Sequence, residues 1–343
     1  PSFRVDYDSG QFLLDGKPFR YISGDLHYFR IHPDLWLDRL KRVRALGLNV
    51  IQMYVPWNWH EVERGSYDFS GGRNLTHFIE LVESVHMHVL IRMGPYICAE
   101  LENGGLPYWL IATYGDIKQR TSDERFKAEV SKWFTVLADT LRPYLRPNGG
   151  PVLMVQIENE YGSYGACDGN YTVWLRDEVR RLLGSEIQLY TSGAESYLKC
   201  GAISDVFPTV DFGPTTPANI RAAFAAQKKY LPGGKGPLVN SEFYPGWLVL
   251  WGQRKEQLPS PDAVVAAAAE IFRLGGSFSF YMIHGGTNFG FWNGAEYDAP
   301  VITSYDYSAP ISEDGRYAPS YWKIRDWIIG LKDWPTRPTT PPK

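Results

Sequence analysis

Several residue classes are scarce in this 343-residue chain, and each scarcity excludes a class of protein. Three cysteines are too few for a disulfide scaffold, and their spacing fits no zinc knuckle. The formal net charge is −3, so the whole chain carries no electrostatic footprint for nucleic acid. The longest apolar stretches, such as residues 263–269, are far shorter than the roughly 20 residues that cross a bilayer.

Motifs that hold metals and phosphates are also missing. The seven histidines form neither an HExxH pattern nor a cluster with cysteine. There is no P-loop, no GxGxxG fingerprint and no GxSxG nucleophile turn. We therefore expect no metal ion and no cofactor, and neither a nucleic-acid partner nor a membrane span.

What the chain does have is the composition of a folded protein with many aromatic residues. Hydrophobic residues make up 44% and charged residues 21%, which excludes a disordered chain. The aromatic share of 15% comprises 12 Trp, 22 Tyr and 17 Phe. The length alone allows one large domain or two ordinary ones, because α/β barrels routinely exceed 200 residues.

Segments typical of strands and helices alternate along nearly the whole chain. Eight such strands, most followed by a helix, favour a closed (β/α)8 TIM barrel over an open sheet. The expected strands span residues 20–27, 48–55, 88–96, 152–161, 188–192, 203–212 (the weakest), 238–243 and 278–284. The expected helices begin at residues 32–34, 74, 122, 168, 217, 261 and 319, the first of them ending at Gly47.

The two ends fall outside this alternation. Residues 3–19 predict a short N-terminal β-hairpin that could plug the bottom of the barrel, with turns at residues 9–10 and 15–16. Residues 334–343 (WPTRPTTPPK) have the composition of a linker. We therefore expect one catalytic barrel over residues 1–333, followed by a Pro/Thr-rich tail that leads to C-terminal β-domains outside this chain.

Acidic residues follow two of the expected strands, at the end of a barrel where catalytic groups lie. Strict alternation in the fourth strand would place Gln156, Glu158 and Glu160 on one face. Glu242 ends the seventh strand, almost across the barrel. Two acids that face each other across an aromatic pocket are what glycoside hydrolysis requires. The alternative is that a strand-end glutamate is a solvated charge or part of a structural ion pair.

Aromatic residues surround the same ends of the strands. Sugar rings pack their C–H faces on aromatic planes, although each aromatic residue taken alone could equally belong to the core. The residues concerned are Tyr54, Trp57, Trp59, Tyr96, Trp247, Phe291, Trp292, Tyr305 and Tyr307.

Six ordered segments resemble a known enzyme family. They are residues 23–30 (SGDLHYFR), 54–58 (YVPWN), 94–100 (GPYICAE), 149–161 (GGPVLMVQIENEY), 240–244 (NSEFY) and 303–307 (TSYDY). Together they are similar to glycoside hydrolase family 35, the acid β-galactosidases, and in particular to animal lysosomal-type members. The resemblance extends over nearly the whole chain.

This resemblance implies a retaining exo-β-galactosidase that removes terminal β-galactose by double displacement. It implies that Glu160 is the general acid/base, that Glu242 is the nucleophile and that Asn159 bonds the sugar 2-hydroxyl. Glu158 competes for the acid role but is interpreted as support for Glu160. The resemblance assigns the galactose hydroxyls to Tyr54, Cys98, Ala99, Glu100 and Tyr307, and the apolar walls to Tyr244, Trp247 and Phe291.

The resemblance also implies a disulfide between Cys167 and Cys200, with Cys98 unpaired; three reduced thiols are the alternative. Two sequons, at Asn74 and Asn170, favour glycosylation and the secretory route, so we expect a lysosomal or secreted protein. Two other functions stay open: another exo-β-glycosidase such as a β-glucosaminidase, and a non-catalytic galactoside-binding protein. The linkage preference and the oligomeric state are not determined by the sequence.

Overall fold

The computed structural model describes residues 1–253 and 257–343. It begins with a three-stranded antiparallel sheet: β1 (Phe3–Asp6), β2 (Gln11–Leu14) and β3 (Lys17–Phe19). Phe3, Val5 and Phe12 of this sheet are buried against the N-terminal ends of the strands that follow, in a cluster that includes Tyr190 and Phe207. The predicted hairpin therefore has a third strand, and it closes the bottom of the barrel.

The next nine strands form one parallel sheet that closes into a barrel, which confirms the predicted fold. Their order in the sheet is β10-β11-β12-β4-β5-β6-β7-β8-β9. The strands are β4 (Ile22–Asp25), β5 (Val50–Tyr54), β6 (His88–Gly94), β7 (Val152–Ile157), β8 (Gln188–Thr191), β9 (Phe207–Pro208), β10 (Val210–Asp211), β11 (Val239–Phe243) and β12 (Ser277–Phe280).

The strand expected to be weakest is the one at which the barrel closes. β9 pairs with β8 and β10 pairs with β11, so the two short pieces on either side of Thr209 occupy one of eight strand positions. Pro208 has no N–H group to donate, which interrupts the ladder at this point. The Thr209 N–H still donates to the Thr191 carbonyl at 2.9 Å, which keeps this position joined to β8.

Helices cover the outside of the barrel and begin at residues suited to that position. Asn74, Asp123, Asp168, Thr216 and Ser260 each accept a hydrogen bond from a first-turn N–H group. The helices are α1 (Trp36–Leu46), α2 (Trp57–His60), α3 (Leu75–Ser84), α4 (Trp109–Tyr114), α5 (Glu124–Leu141), α6 (Gly169–Leu183), α7 (Leu198–Gly201), α8 (Pro217–Lys228), α9 (Pro261–Arg273) and α10 (Pro319–Gly330). In the part of the chain described, none is long and apolar enough to cross a membrane.

The Pro/Thr-rich tail lies against the barrel. Trp334 is buried and its indole N–H donates to the Gly47 carbonyl at 2.8 Å. The Thr339 N–H donates to the Ala45 carbonyl at 3.0 Å, and the Tyr317 hydroxyl donates to the Pro342 carbonyl at 2.6 Å. The tail is thus anchored at the end of α1, and the division into a catalytic domain and a linker stays a prediction.

Candidate active site

A cavity of about 290 Å³ opens at the C-terminal ends of the barrel strands. This volume lies at the small end of the range for ligand pockets, roughly 300–1,000 Å³. Most of the groups facing it are acidic or aromatic. The lining residues are Tyr96, Cys98, Glu100, Arg120, Asn159, Glu160, Ser163, Glu242, Tyr244, Trp247, Leu248, Leu250, Gln253, Tyr281, Glu296, Tyr297 and Tyr307.

Glu242, at the end of β11, is buried and accepts hydrogen bonds from three side chains. Its Oε1 contacts the Arg92 guanidinium and accepts from the Tyr54 hydroxyl at 3.2 Å. Its Oε2 accepts from the Tyr244 hydroxyl at 2.9 Å. These donors stabilise the ionised carboxylate and fix its orientation. Asn159 belongs to the same network, because its Oδ1 accepts from Arg92 at 2.7 Å and from Tyr54 at 3.1 Å.

Glu160 lies next to Glu242 but in a different environment. Burial, and secondarily the charge of Glu242, raises the pKa of Glu160 from 4.5 to about 8. One carboxylate oxygen of Glu160 lies within 4.8 Å of one from Glu242. The raised pKa keeps the proton on Glu160 at neutral pH, whereas the neighbouring Glu242 carboxylate accepts from Arg92; acid catalysis beside a carboxylate nucleophile requires this contrast in environment.

Glu158 does not face the same way as Glu160, which corrects the expectation from strand alternation. β7 ends at Ile157, and both glutamates adopt left-handed backbone conformations with φ of 58° and 43°. The Glu158 carboxylate accepts from Arg120 at 2.6 Å and from the Tyr171 hydroxyl at 2.7 Å. Arg120 also donates to the Asn159 carbonyl at 2.9 Å. Glu158 thus holds the segment that carries Asn159 and Glu160.

The loop after β6 supplies another wall of the cavity. Cys98, Ala99 and Glu100 all have positive φ angles, between 48° and 55°, a strained arrangement that is common at functional sites. The Tyr305 hydroxyl donates to Glu100, whose pKa is raised to about 7 by burial. Burial also raises the pKa of the Cys98 thiol, so the thiol is neutral. Ala99 is buried, its carbonyl accepts from Arg30, and it is not among the residues that line the cavity.

Four of the predicted aromatic residues line the cavity, namely Tyr96, Tyr244, Trp247 and Tyr307. Trp247 packs edge-on against Tyr244 with ring centroids 5.0 Å apart, and its centroid is 6.0 Å from that of Tyr307. Tyr54 lies below the lining and reaches the site through the hydrogen bonds of its hydroxyl.

Phe291 lies outside the lining of this cavity, and its assignment to an apolar wall of the sugar site stays a prediction. It is 97% exposed and absent from the lining, because it lies in the turn that precedes the hairpin of β13 (Ala295–Glu296) and β14 (Ala299–Pro300). That hairpin is joined to the cavity loop by the Gly294 N–H, which donates to the Glu100 carbonyl at 2.8 Å. Trp292, the next residue, packs instead against Trp59 with ring centroids 5.2 Å apart.

Sequence reasoning missed at least four charged residues at the site, namely Arg92, Asp211, Arg120 and Glu296. Arg92 stands within the apolar strand HVLIRMG, and an arginine in such a strand was a usable signal. Asp211 ends β10, so the strand-end rule that selected Glu242 applied to it as well. Arg120 lies in a loop, and no sequence pattern connects it with Glu158.

Two groups of side chains could offer three ligand atoms to a cation, among the residues described. One consists of Cys98, Glu100 and Glu296, and the other of Glu160, Asp211 and Glu242. In each group the candidate atoms lie within 4.8 Å of one another.

The three cysteines are arranged as the resemblance implies. Cys167 and Cys200 form a disulfide with their Cα atoms 5.4 Å apart, and Cys98 is free. Asn170 is exposed near the start of α6, whereas the Asn74 side chain caps α3 by accepting from the His77 N–H at 3.1 Å.

Comparison with known proteins gives a family and several relatives. The family model described as "Glycosyl hydrolases family 35" matches residues 11–331. Over 99% of its length the chain is 48% identical to a mouse "Beta-galactosidase-1-like protein" and 46% identical to a human "Beta-galactosidase". It covers 52% and 50% of these two proteins, so it spans about half the length of the curated relatives it matches.

Solved structures support the fold alone, because their sequence identities are low. A β-galactosidase from Marinomonas ef1 aligns with a TM-score of 0.62 at 13% identity, over 89% of this chain and 58% of that one. An endo-β-1,4-mannanase from Thermotoga petrophila aligns with a TM-score of 0.59 at 15% identity, over 91% of this chain and 77% of that one.

Proposed function

Because the chain belongs to glycosyl hydrolase family 35, we propose that it is a retaining exo-β-galactosidase acting on terminal β-galactose. One observation carries the proposal: carboxylate oxygens of Glu160 and Glu242 lie within 4.8 Å of each other, one acid neutral and the other held by Arg92. Retaining enzymes separate the two carboxyl groups by about 5–5.5 Å, whereas inverting enzymes need about 6.5–9.5 Å to admit a water.

In the first step Glu242 attacks the anomeric carbon and the glycosidic bond breaks. Glu160 gives its proton to the departing oxygen, so the leaving group departs as an alcohol. As the ester forms, Glu242 loses its charge and Glu160 becomes ionised. The Tyr54 and Tyr244 hydroxyls and Arg92 keep the Glu242 carboxylate aimed into the cavity before the attack.

In the second step water cleaves the glycosyl-enzyme. The ionised Glu160 takes a proton from the water as its oxygen attacks the anomeric carbon, and Glu242 leaves as a carboxylate. Two inversions at one carbon return the β configuration, and Glu160 is again protonated for the next cycle.

Recognition of the sugar falls to the remaining cavity groups. The Asn159 Oδ1 is already used by Arg92 and Tyr54, so its amide N–H₂ is the group left to donate to the 2-hydroxyl. Glu100 and the neutral Cys98 thiol offer further polar contacts to hydroxyls. Trp247 offers an aromatic surface to the sugar. A cavity of about 290 Å³ favours one terminal sugar unit, which is why we propose exo action.

The same cavity would also suit a different exo-β-glycosidase activity, such as that of a β-glucosaminidase. Hydrolysis of a β-galactoside and of a β-glucosaminide requires the same pair of acids. A galactoside-binding protein without activity is the alternative from another class. It is disfavoured because a binding protein needs neither a nucleophile nor a buried proton donor.

The test is a panel of aryl β-glycosides measured side by side between pH 3 and pH 9. We expect β-galactosides to be cleaved fastest, with activity falling above about pH 8 as Glu160 ionises. Proton NMR of the first product should show the β-anomer. Faster release of glucosamine would favour the second candidate, and α-anomer as first product would exclude the retaining mechanism.

We further propose a lysosomal or secreted location and glycosylation at Asn74 and Asn170. The disulfide between Cys167 and Cys200 supports an oxidising compartment. Asn170 is exposed, and Asn74 at the start of α3 is partly exposed. Mass spectrometry of protein secreted from cultured animal cells, before and after removal of N-glycans, tests both sites.

A further inference from the structure

A third carboxyl group, that of Asp211, lies between the elements that carry the two glutamates. Asp211 is the last residue of β10 and is paired in register with Glu242 of β11. One of its carboxylate oxygens lies within 4.8 Å of those offered by Glu160 and Glu242. The side chain is buried, with 6% of the residue exposed.

The two oxygens of Asp211 are in different situations. Oδ1 accepts from the Ser241 hydroxyl at 2.5 Å, and Ser241 in turn lies 2.5 Å from the hydroxyl of Thr209. Oδ2 is buried and has no hydrogen-bond partner among the residues that the structure describes. A buried polar oxygen in this position is costly unless a partner is supplied during function.

Charge balance determines which form of Asp211 is compatible with its neighbours. Arg92 is in direct contact with Glu242, and its other terminal nitrogen is 3.7 Å from Asp25. Among the residues that the structure describes, Asp211 forms no ion pair, because both terminal nitrogens of Arg92 face other acids. Burial, followed by the charge of Glu242 and by that of Glu160 whenever it is ionised, raises the pKa of Asp211 well above its ordinary value. The titratable groups that act on it are Glu160, Glu242, Arg92, Tyr190 and Tyr244.

We propose that Asp211 is a positioning residue that keeps its proton through both catalytic steps and offers it, from Oδ2, to whichever glutamate is ionised. In the free enzyme that glutamate is Glu242, and in the glycosyl-enzyme it is Glu160. No proton is transferred to or from Asp211, so the overall proton balance is that of the two-step reaction. The carboxylate oxygens that the three acids turn towards one another lie within 4.8 Å, which is within the span of one bridging water.

This inference rests on the proposed glycosidase function and deepens it. Among the described residues, Glu160, Asp211 and Glu242 face one guanidinium, that of Arg92, so repulsion between like charges favours a proton on two of the three acids. A neutral Asp211 gives the ionised Glu160 of the intermediate a charge-assisted partner, while Arg92 stays with the Glu242 side of the site. The hydrogen bond from Asp211 should therefore lower the barrier both to formation and to hydrolysis of the glycosyl-enzyme.

Asp211→Asn and Asp211→Leu separate this role from a purely structural one. Asparagine keeps an oxygen for the Ser241 hydroxyl and an N–H donor in place of the Oδ2 proton, so kcat should stay within about threefold of wild type. Leucine has no donor, and kcat should fall about ten- to a hundredfold for both dinitrophenyl and phenyl β-galactosides, the loss expected for a hydrogen bond to a charged group. Asp314→Asn, an exposed aspartate, is the matched control.

The pH profile is the second measurement. If Asp211 is neutral, the pH at which activity falls on the basic side should be the same in Asp211→Asn as in wild type. In Asp211→Leu this fall should move to higher pH, because the ionised form of Glu160 loses a hydrogen-bond donor. A fall that moves to lower pH in Asp211→Asn would show that wild-type Asp211 is charged and would overturn the inference. Wild-type kinetics in Asp211→Leu would overturn it as well. If Asp211→Leu does not fold, the pH–activity profile of Asp211→Asn tests by itself whether Asp211 is neutral. Wild-type protein inactive on every glycoside overturns the proposed function itself, and the inference with it.

Discussion

Replacing Glu160 by glutamine should stabilise the protein at neutral pH while it removes the acid catalyst. Burial raises the pKa of Glu160 from 4.5 to about 8, so this carboxyl opposes folding whenever the unfolded chain would ionise it. The contribution of the neutral carboxyl to the free energy of unfolding is fully present below pH 4.5, and it is lost as the pH rises towards 8. Glutamine does not ionise, so its contribution to the free energy of unfolding does not change between pH 4.5 and pH 8.

The magnitude follows from the position of that window. One pKa unit corresponds to about 1.4 kcal/mol. At pH 6.5, about two pH units above 4.5, the wild-type carboxyl costs about 3 kcal/mol, whereas at pH 4 the cost is close to zero. The stability advantage of Glu160→Gln over wild type should therefore grow by about 3 kcal/mol between pH 4 and pH 6.5.

The assay is urea unfolding of both proteins at several pH values, with activity measured in parallel. Glu160→Gln should lose about 10²- to 10⁴-fold in kcat with poor leaving groups and much less with dinitrophenyl galactoside. Glu158→Gln is the matched control: it removes the partner of Arg120 from a buried ion pair, so it should be destabilised by about 3–5 kcal/mol. A stability difference for Glu160→Gln that does not change with pH would refute the raised pKa of Glu160.

Three further predictions concern the nucleophile, its counter-charge and the disulfide. Glu242→Gln should abolish turnover but leave galactose binding measurable by calorimetry; a near-normal kcat would remove Glu242 from its role. Arg92→Met should cost at least about 3 kcal/mol in urea unfolding at pH 7, because Asp25 and Glu242 lose their counter-charge; an unchanged midpoint contradicts this. Replacing Cys167 and Cys200 by serine should cost about 4 kcal/mol, since the bond closes a 33-residue loop; wild type measured under reducing agent should match the variant.

Most of the fold could be predicted because its signals are local. Helix α8 begins at Thr216 and Pro217, and α1 ends at Gly47 with a left-handed φ of 103°, both as the residue types indicate. Eight repeats of strand and helix then leave few architectures other than a barrel. The third strand of the N-terminal sheet, at Lys17–Phe19, was not predicted, because only three residues form it.

The site was predicted in part. The strand-end rule brought Glu160 and Glu242 to one opening, and the resemblance added Asn159. The rule failed at Glu158, because alternation holds only while the backbone stays extended, and here the chain turns left-handed directly after Ile157. It was applied incompletely at Asp211, whose short strand was recognised as the weakest.

The sequence by itself therefore determined the order of strands and helices, the family and the two acids at the barrel opening. The tertiary structure added the physical cause: burial raises the pKa of Glu160 more than the charge of Glu242 does, and both depend on groups that lie far away along the chain. Arg92 and Glu242 are separated by 150 residues, yet their contact fixes the charge of the site. The same reason places Phe291 in solvent and Asp211 beside the two glutamates.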